Sequence, residues 1–346
     1  MEPVFPGTEQ LVLCDDRATG LRAVIAIDDT TLGPGLGGVR LKAYASDADA
    51  VTEARRLAAA MTLKNAAAEL PYGGGKAVIV ADGPIADRAA LMRAFGRFVA
   101  RTGGAYLPGV DMGTTTADLA EVGRVAPDVA CDQEDPSGWT ALGVWAGICA
   151  TARQLDRRDD LGGLTVAIQG VGHVGADLAR RVARDGARVL VADVDGQRAA
   201  DVAAEVGGTV VTADEIVTAP CDVLAPCAAA RVIDRATLPR LRCRAIAGAA
   251  NDVLADAELA DGLRRAGIAY VPDFLINAGG VIHIHALRAG WSASRLEAEV
   301  LAIGDRVERV LHDAARAHRP PLDQAVERAR ARIAAARPTP DVRLAA

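Results

Sequence analysis

Residues 164–193 read LTVAIQGVGHVGADLARRVARDGARVLVAD, and this stretch decides the fold. An apolar run, Leu164–Gln169, leads into Gly170-Val-Gly172-His-Val-Gly175; a helical run, Ala176–Arg184, follows, and a second apolar run ends at Asp193. Glycine triplets occur by chance, but here strand, glycine turn, helix and second strand stand in the order a dinucleotide-binding βαβ unit requires. The first glycine permits a tight turn, the second lets a pyrophosphate approach the backbone, and the third lets helix and strand pack closely. Free N–H groups at the helix start then face the phosphates. This makes Gly170, Gly172, His173, Val174 and Gly175 the expected cofactor loop, with the His173 ring pointing outward. Asp193 lies 18 residues past Gly175, near the roughly 20 expected of an acid that accepts hydrogen bonds from a ribose diol. A carboxylate there repels a 2′-phosphate, so the expected cofactor is NAD; Arg198 in the next helix keeps NADP as the alternative.

Downstream, strand-like runs recur at Ala187–Ala192, Thr209–Val211, Val223–Ala225, Ala245–Ala247 and Ala269–Val271, most of them separated by helical segments. That rhythm predicts a mostly parallel, doubly wound sheet, and so a Rossmann-type dinucleotide-binding domain over 136–319. The polar, Pro/Gly-bearing stretch Asp132–Gly138 reads as the linker before it, and Trp139–Leu155 as a helix leaving that hinge. Residues 1–135 form a second α/β domain without a nucleotide fingerprint. Strands are expected at Leu21–Ile27, Lys76–Val80 and Ala105–Leu107, and helices at Ser46–Leu70, capped by Ser46 or Asp47, and Asp87–Arg101. Thr30–Gly38, with four glycines, reads as a loop. Ser294–Ala317 and Pro321–Ala336 are helical and rich in Ala and Arg; the helix of about 320–346 either packs back on the first domain or forms a subunit contact.

A chain of 346 residues accommodates two such domains. A net charge of −6 and 3% aromatic residues argue against a nucleic-acid surface. No apolar run reaches the ~18 residues of a spanning helix, and Glu2 and Pro3 stand where an export signal carries basic residues. Cys14, Cys131, Cys149, Cys221, Cys227 and Cys243 form no C-x-x-C pair, which suits a reduced, cytoplasmic protein without disulfides or a thiolate metal site. His283 and His285 have no acid or thiol nearby in sequence, so packing is expected of them, not metal ligation.

Of 39 basic residues only Lys42, Lys64 and Lys76 are lysines. Where arginine supplies ordinary positive charge, a retained lysine marks a place for an amine that can lose its proton. Lys64 ends a helix whose apolar stripe reads Val51, Ala54, Leu57, Met61, and shares the face of Leu57 and Met61. Lys76 follows three glycines, Gly73–Gly75, and opens an apolar strand, so backbone can crowd its amine. A desolvated lysine near a second ammonium has a lowered pKa, as a general base requires. Only Lys42 is left as a plain surface charge. Asp111 sits where a strand meets a glycine-bearing loop, either to exchange protons with an amine or to cap the helix starting near Thr114.

Several motifs in order, spanning nearly the whole chain, resemble the glutamate/leucine/phenylalanine/valine dehydrogenases. They are Gly37-Gly-Val-Arg40, Met61-Thr-Leu-Lys-Asn-Ala66, Leu70-Pro-Tyr-Gly-Gly-Gly-Lys76, Val110-Asp-Met-Gly-Thr-Thr115, Gly170–Gly175, Ala225-Pro-Cys-Ala228, Gly248-Ala-Ala-Asn251 and Pro272-Asp-Phe-Leu-Ile-Asn-Ala-Gly-Gly280. The resemblance implies NAD-linked oxidative deamination of an L-amino acid to a 2-oxo acid and ammonia, in a cleft between a catalytic and a cofactor domain, by a homo-oligomer. It makes Lys64 the ligand of the substrate carboxylate, Lys76 the amine that activates water, and Asp111 the group that exchanges protons with the amino nitrogen. Asn251 and Asn277 become amides near nicotinamide and substrate, and Thr140, Cys227 and Ala228 further cofactor contacts.

Glutamate-specific relatives carry a lysine before the paired glycines; Leu36 stands there, so an apolar substrate is expected, leucine, valine or phenylalanine. With Gly37, Gly38 and Met61, the matching pocket positions Gly109, Val281 and Ile284 are apolar or small, and Gly109 leaves more room than alanine. The chain also departs from the pattern. Ala230-Arg231 replaces paired glycines, Asn251-Asp252 replaces two asparagines, and Trp139 puts a large ring near the hinge; Arg231 and Asp252 could pair. The alternatives are a reductase for an unusual imino or 2-oxo acid in a specialised pathway, and a non-catalytic NAD-binding homologue. The intact trio Lys64, Lys76 and Asp111 speaks against the latter.

Overall fold

Small residues set how closely the first helix approaches its sheet. In the computed structural model, which describes residues 7–130 and 135–337, the chain divides into two units: Met1–Glu134 with Arg328–Ala346, and Asp135–Glu327. Cys131 and residues 132–134 of the expected linker lie outside the described residues.

The first unit runs β1 (Gln10–Asp16), β2 (Leu21–Asp29), β3 (Gly35–Lys42), α1 (Asp47–Ala67), β4 (Gly73–Val80), α2 (Arg88–Arg101), β5 (Tyr106–Val110) and α3 (Thr116–Gly123). Its sheet has the order β1-β2-β4-β3-β5. β2 pairs antiparallel with both β1 and β4, while β3 lies parallel between β4 and β5. Ser46 caps α1 by accepting from Asp49 N at 3.1 Å, and Asp87 caps α2 by accepting from Ala90 N at 2.9 Å. The buried stripe of α1 is Ala50, Ala54, Ala58, Thr62 and Ala66, not the expected Val51, Leu57 and Met61, which are half-buried. The reason is close approach to β4: a Cβ on Gly74 would lie 2.3 Å from the Ala58 carbonyl oxygen. The other sheet face is covered by Leu91, Met92, Phe95 and Val99 of α2 and Leu119 and Val122 of α3. Each large side chain so buried contributes about 1.5–3 kcal/mol.

Two sequence expectations fail here. The glycine loop ends early, because Gly35–Gly38 belong to the inner strand β3; their lack of side chains serves strand packing, since a Cβ on Gly37 would lie 1.8 Å from the Gly75 oxygen. The strand β1 is unanticipated. It is an edge strand with Leu11 and Leu13 exposed, so its hydrophobic alternation points outward and does not mark it as core.

The second unit runs α4 (Ser137–Asp156), β6 (Thr165–Gln169), α5 (His173–Arg184), β7 (Arg188–Ala192), α6 (Gly196–Val206), β8 (Thr209–Val210), β9 (Val223–Pro226), β10 (Ala245–Ile246), α7 (Leu259–Arg265), β11 (Ala269–Tyr270), α8 (Asp273–Ile276), α9 (Gly279–Ala289), α10 (Ala293–Leu301) and α11 (Ile303–Ala317). The sheet order is β11-β10-β9-β6-β7-β8, parallel throughout, and every strand coincides with an expected apolar run. Order reverses between β6 and β9, the switch point where such sheets take ligands. The last helix, α12 (Pro321–Ala336), divides between the units. Leu322 packs on the core of the second unit, whereas Ala329 and Ile333 cluster with Ala66 of the first. Arg332 Nη1 donates to the Leu70 carbonyl at 3.0 Å just beyond α1. Among the described residues no helix is long and apolar enough to cross a membrane.

Candidate active site

In the first unit, three neighbouring strands bring their charges to one place. Lys76 on the buried strand β4 sets Nζ 2.8 Å from Oδ2 of Asp111, which follows β5. From the intervening strand β3, Arg40 donates Nε to the same oxygen at 2.9 Å. The Arg40 Nη1 then meets Glu53 Oε1 of α1 at 2.6 Å, and Lys42 Nζ meets Glu53 Oε2 at 2.8 Å. Charges thus alternate in sign along Lys76, Asp111, Arg40, Glu53 and Lys42. Lys42 is the outer end of this chain and lies 4.6 Å over the Tyr44 ring, so it is more than a leftover surface amine.

The backbone around Asp111 is fixed. Its N–H donates to Thr114 Oγ1 at 3.0 Å, and that hydroxyl donates to the Val39 carbonyl at 2.8 Å. A Cβ on Gly38 would lie 2.6 Å from the Asp111 Cβ, so glycine is what lets the carboxylate reach the lysine. Asp111 caps no helix: Thr115 and Asp118 form the capping box of α3. Burial alone would raise the Asp111 carboxyl, but the Lys76 and Arg40 cations reverse the effect and hold it at about 2. Burial pushes the Lys76 amine below its ordinary value, and Arg40 adds to that depression while Asp111 opposes it. The cation acting beside Lys76 is therefore a guanidinium and not a second ammonium.

Lys64 lies in the last turn of α1 and Met61 one turn earlier, both half-buried on the shoulder of the helix. Leu36 is fully buried in β3; Gly37 and Gly38 follow, with the Gly37 carbonyl accepting from the Tyr106 hydroxyl at 2.9 Å. Gly38 pairs in register with Gly109, where an added Cβ would find nothing nearer than the Ala130 oxygen at 3.5 Å. Sequence reading missed Arg40 and Glu53. Among 36 arginines composition cannot mark one, yet β-alternation puts Arg40 on the face of Gly38, beside the carboxylate.

In the second unit, the turn after β6 matches the expected anatomy. Gly170 has φ +88°, open to glycine, and a Cβ on Gly175 would lie 2.0 Å from the Gly170 oxygen. Around Gly172 an added Cβ would meet nothing within 4 Å, at the start of α5. Val174 lies in that first turn, and the His173 ring is mostly exposed, its Nδ1 2.9 Å from Asp135 Oδ2. Asp193 follows β7; Oδ2 accepts from Val171 N at 2.9 Å and Oδ1 from Asp195 N at 3.0 Å. Its carboxyl is lowered: burial works against this, and the backbone donors and Arg198 outweigh it. A groove of about 500 Å³ beside the turn is lined by Gly172, His173, Ala176, Arg180, Arg198 and Val202. Across the switch point, Cys227 and Ala228 follow β9, with Ala228 against Gly170.

Asn277 is buried and donates Nδ2 to Asn251 Oδ1 at 2.9 Å and to the Ala249 carbonyl at 3.0 Å, which leaves its own Oδ1 buried without a partner among the described residues. Val281 and Ile284 share the half-buried side of α9, and its first glycine packs against Trp139 and Thr140 of α4. His283 is buried 5.9 Å from the Trp139 ring, and His285 meets Trp291 edge-on, consistent with packing roles. An open glycine at a helix start and an orphaned amide oxygen fit a bound dinucleotide, the first toward its phosphates, the second toward a carboxamide donor.

A doubly wound sheet with this turn, and a separate unit that buries a lysine against a carboxylate, fit a dinucleotide-dependent oxidoreductase. More narrowly, the chain belongs to the glutamate/leucine/phenylalanine/valine dehydrogenase family: the model of its dimerisation domain matches residues 8–124, and that of the second domain residues 192–337. It is 40% identical over 315 residues to leucine dehydrogenase of Thermoactinomyces intermedius, covering 89% of this chain and 86% of that one. It is 39% identical over 344 residues to valine dehydrogenase of Streptomyces coelicolor, covering 96% and 94%. Among solved structures, L-tryptophan dehydrogenase from Nostoc punctiforme matches with a TM-score of 0.85 and 35% identity over 95% of this chain and 97% of that one. The protein is an amino-acid dehydrogenase.

Proposed function

We propose that the protein oxidatively deaminates an apolar L-amino acid, of the branched-chain or phenylalanine type, with NAD as hydride acceptor, to the 2-oxo acid and ammonia. The observation that carries this reading is the buried Lys76–Asp111 pair at 2.8 Å. The bound nicotinamide would accept the hydride from Cα; Gly170–Gly175, Asp193, Thr140, Cys227, Ala228, Asn251 and Asn277 would hold it. Lys64 binds the substrate carboxylate. Lys76, whose amine burial and Arg40 make easier to deprotonate, takes a proton from water as that water adds to the imino carbon. Asp111, ionised at the start, takes a proton from the substrate ammonium before the hydride leaves and returns it to the carbinolamine nitrogen; ammonia then departs, the carbinolamine hydroxyl gives its proton back to the carboxylate, and the 2-oxo acid remains. Leu36, Gly37, Gly38, Met61, Gly109, Val281 and Ile284 offer no partner for a side-chain carboxylate, which supports an apolar substrate. The Asp193 carboxylate supports NAD over NADP. The dimerisation domain of the family model supports a homo-oligomer, and the relatives named as amino-acid dehydrogenases support a small-molecule substrate.

The test is NADH formation with a panel of L-amino acids at mildly alkaline pH, run beside NADP. Turnover of leucine, valine or phenylalanine with NAD is expected, and Lys76→Ala should abolish it while NAD still binds. Silence across the panel, or near-normal activity in Lys76→Ala, overturns the reading.

A further inference from the structure

Asp111 is held asymmetrically. Lys76 Nζ and Arg40 Nε both meet Oδ2, and Oδ1 receives no hydrogen bond or ion pair from the described residues. Arg40 is anchored at its far end by Glu53, which Lys42 holds in turn, and the Arg40 and Glu53 side chains are only 17% and 16% exposed. A guanidinium cannot release its proton at working pH, whereas the buried amine of Lys76 can.

We infer that Arg40 is a positioning residue for the reaction proposed above: it clamps Oδ2 of Asp111, so that Oδ1 is the oxygen presented to the substrate nitrogen and the carboxylate stays paired whenever Lys76 is neutral. This rests on the roles proposed for Lys76 and Asp111. Without Arg40, deprotonating Lys76 would leave a buried carboxylate uncompensated, an expensive state. The proton would then stay on the pair and the base would be lost. With Arg40 present, one cation always faces Oδ2, and a second positive charge on Lys76 is disfavoured by like-charge repulsion. The charged groups around Lys76 are Asp111 after β5, Arg40 on β3 and Glu53 on α1. The nearby Tyr106 hydroxyl is engaged by the Gly37 carbonyl.

The scarcity of lysine makes this measurable without turnover. Trace acetylation with acetic anhydride across pH, read by peptide mass spectrometry against a free reference amine, follows Lys76 by itself, because Lys42 and Lys64 are the only other lysines of the sequence. Arg40→Met should move the Lys76 midpoint upward by about one pH unit or more. Arg40→Lys should keep it near the wild-type value. In parallel, the acidic limb of kcat/KM should move the same way, with kcat falling roughly tenfold or more and KM little changed. Arg40→Gln, which retains a hydrogen-bond donor without charge, serves if Arg40→Met does not fold. A merely structural arginine would lower stability and activity and leave the midpoint in place, and that result overturns the inference. If the wild type turns over no amino acid, the proposed reaction fails, while the acetylation midpoints still decide the role of Arg40.

Discussion

Arg231 donates its backbone N–H to the carbonyl of Asp252 at 2.7 Å, and both residues hold left-handed backbone, φ +56° and +53°. Two of the three departures from the family pattern are therefore paired, through main chain. A side chain at positive φ costs about 1 kcal/mol or more against glycine. Arg231→Gly should accordingly stabilise the second unit by up to about 1 kcal/mol, raising its thermal midpoint by ~2–4 °C in a scan. A lower midpoint would show that the arginine side chain contributes more than its backbone costs.

Gly172 separates space kept for a ligand from space kept for folding. An added Cβ there meets no protein atom within 4 Å, and the backbone needs no glycine, since φ is −67°. Gly172→Ala should leave the thermal midpoint of the free protein unchanged and weaken NAD binding by roughly tenfold or more, as read by fluorescence titration. Unchanged affinity would move the pyrophosphate elsewhere.

Asp111 gives the protein a signature in acid. Its carboxyl is held at about 2 against an ordinary 3.8, so its ionised form contributes stability above pH 3.8, and that contribution is lost as pH falls through about 2. Asp111→Asn should cost on the order of 2 kcal/mol in urea unfolding at pH 6, and the gap to wild type should close between roughly pH 4 and pH 2. A pH-independent gap would mean that the carboxylate is not paired as described. Activity of this variant should be abolished.

The approach of Gly38 to Asp111 is a matter of one methyl group. Gly38→Ala would place its Cβ 2.6 Å from the Asp111 Cβ and 2.9 Å from the Val110 oxygen. The loop after β5 must shift, which should lower kcat by roughly a hundredfold for about an ångström of misplacement. Steady-state kinetics beside a thermal scan would distinguish this from general unfolding.

The second unit was legible because its sequence repeats one physical rule, apolar strands buried within a parallel sheet; β6, β7, β9, β10 and β11 largely obey it, and only the two-residue edge strand β8 is exposed. The first unit hides its logic in glycine. Gly35–Gly38 read as a turn from local propensity, yet they form an inner strand, because what decides them is the nearness of Gly75, about 40 residues away. Lys76 and Asp111 stood out by rarity and by position, whereas Arg40 was masked by the abundance of its own residue type. Lys64 shares a face with Leu57 and Met61 as expected, but that face is half-buried and not the core stripe, because alanine and not leucine lines the sheet.

The path of α12 has a consequence for synthesis. The first unit contains both ends of the described chain, with Arg328 onward completing what Met1–Glu134 begins, and Ala329, Ile333 and Arg332 closing over the end of α1. On the ribosome, the second unit is complete at Glu327 while the first still waits for the later part of α12. The lysine-bearing half can therefore finish packing only after the whole second unit has been made, and a chain cut before Arg328 would lack the residues that close over the end of α1.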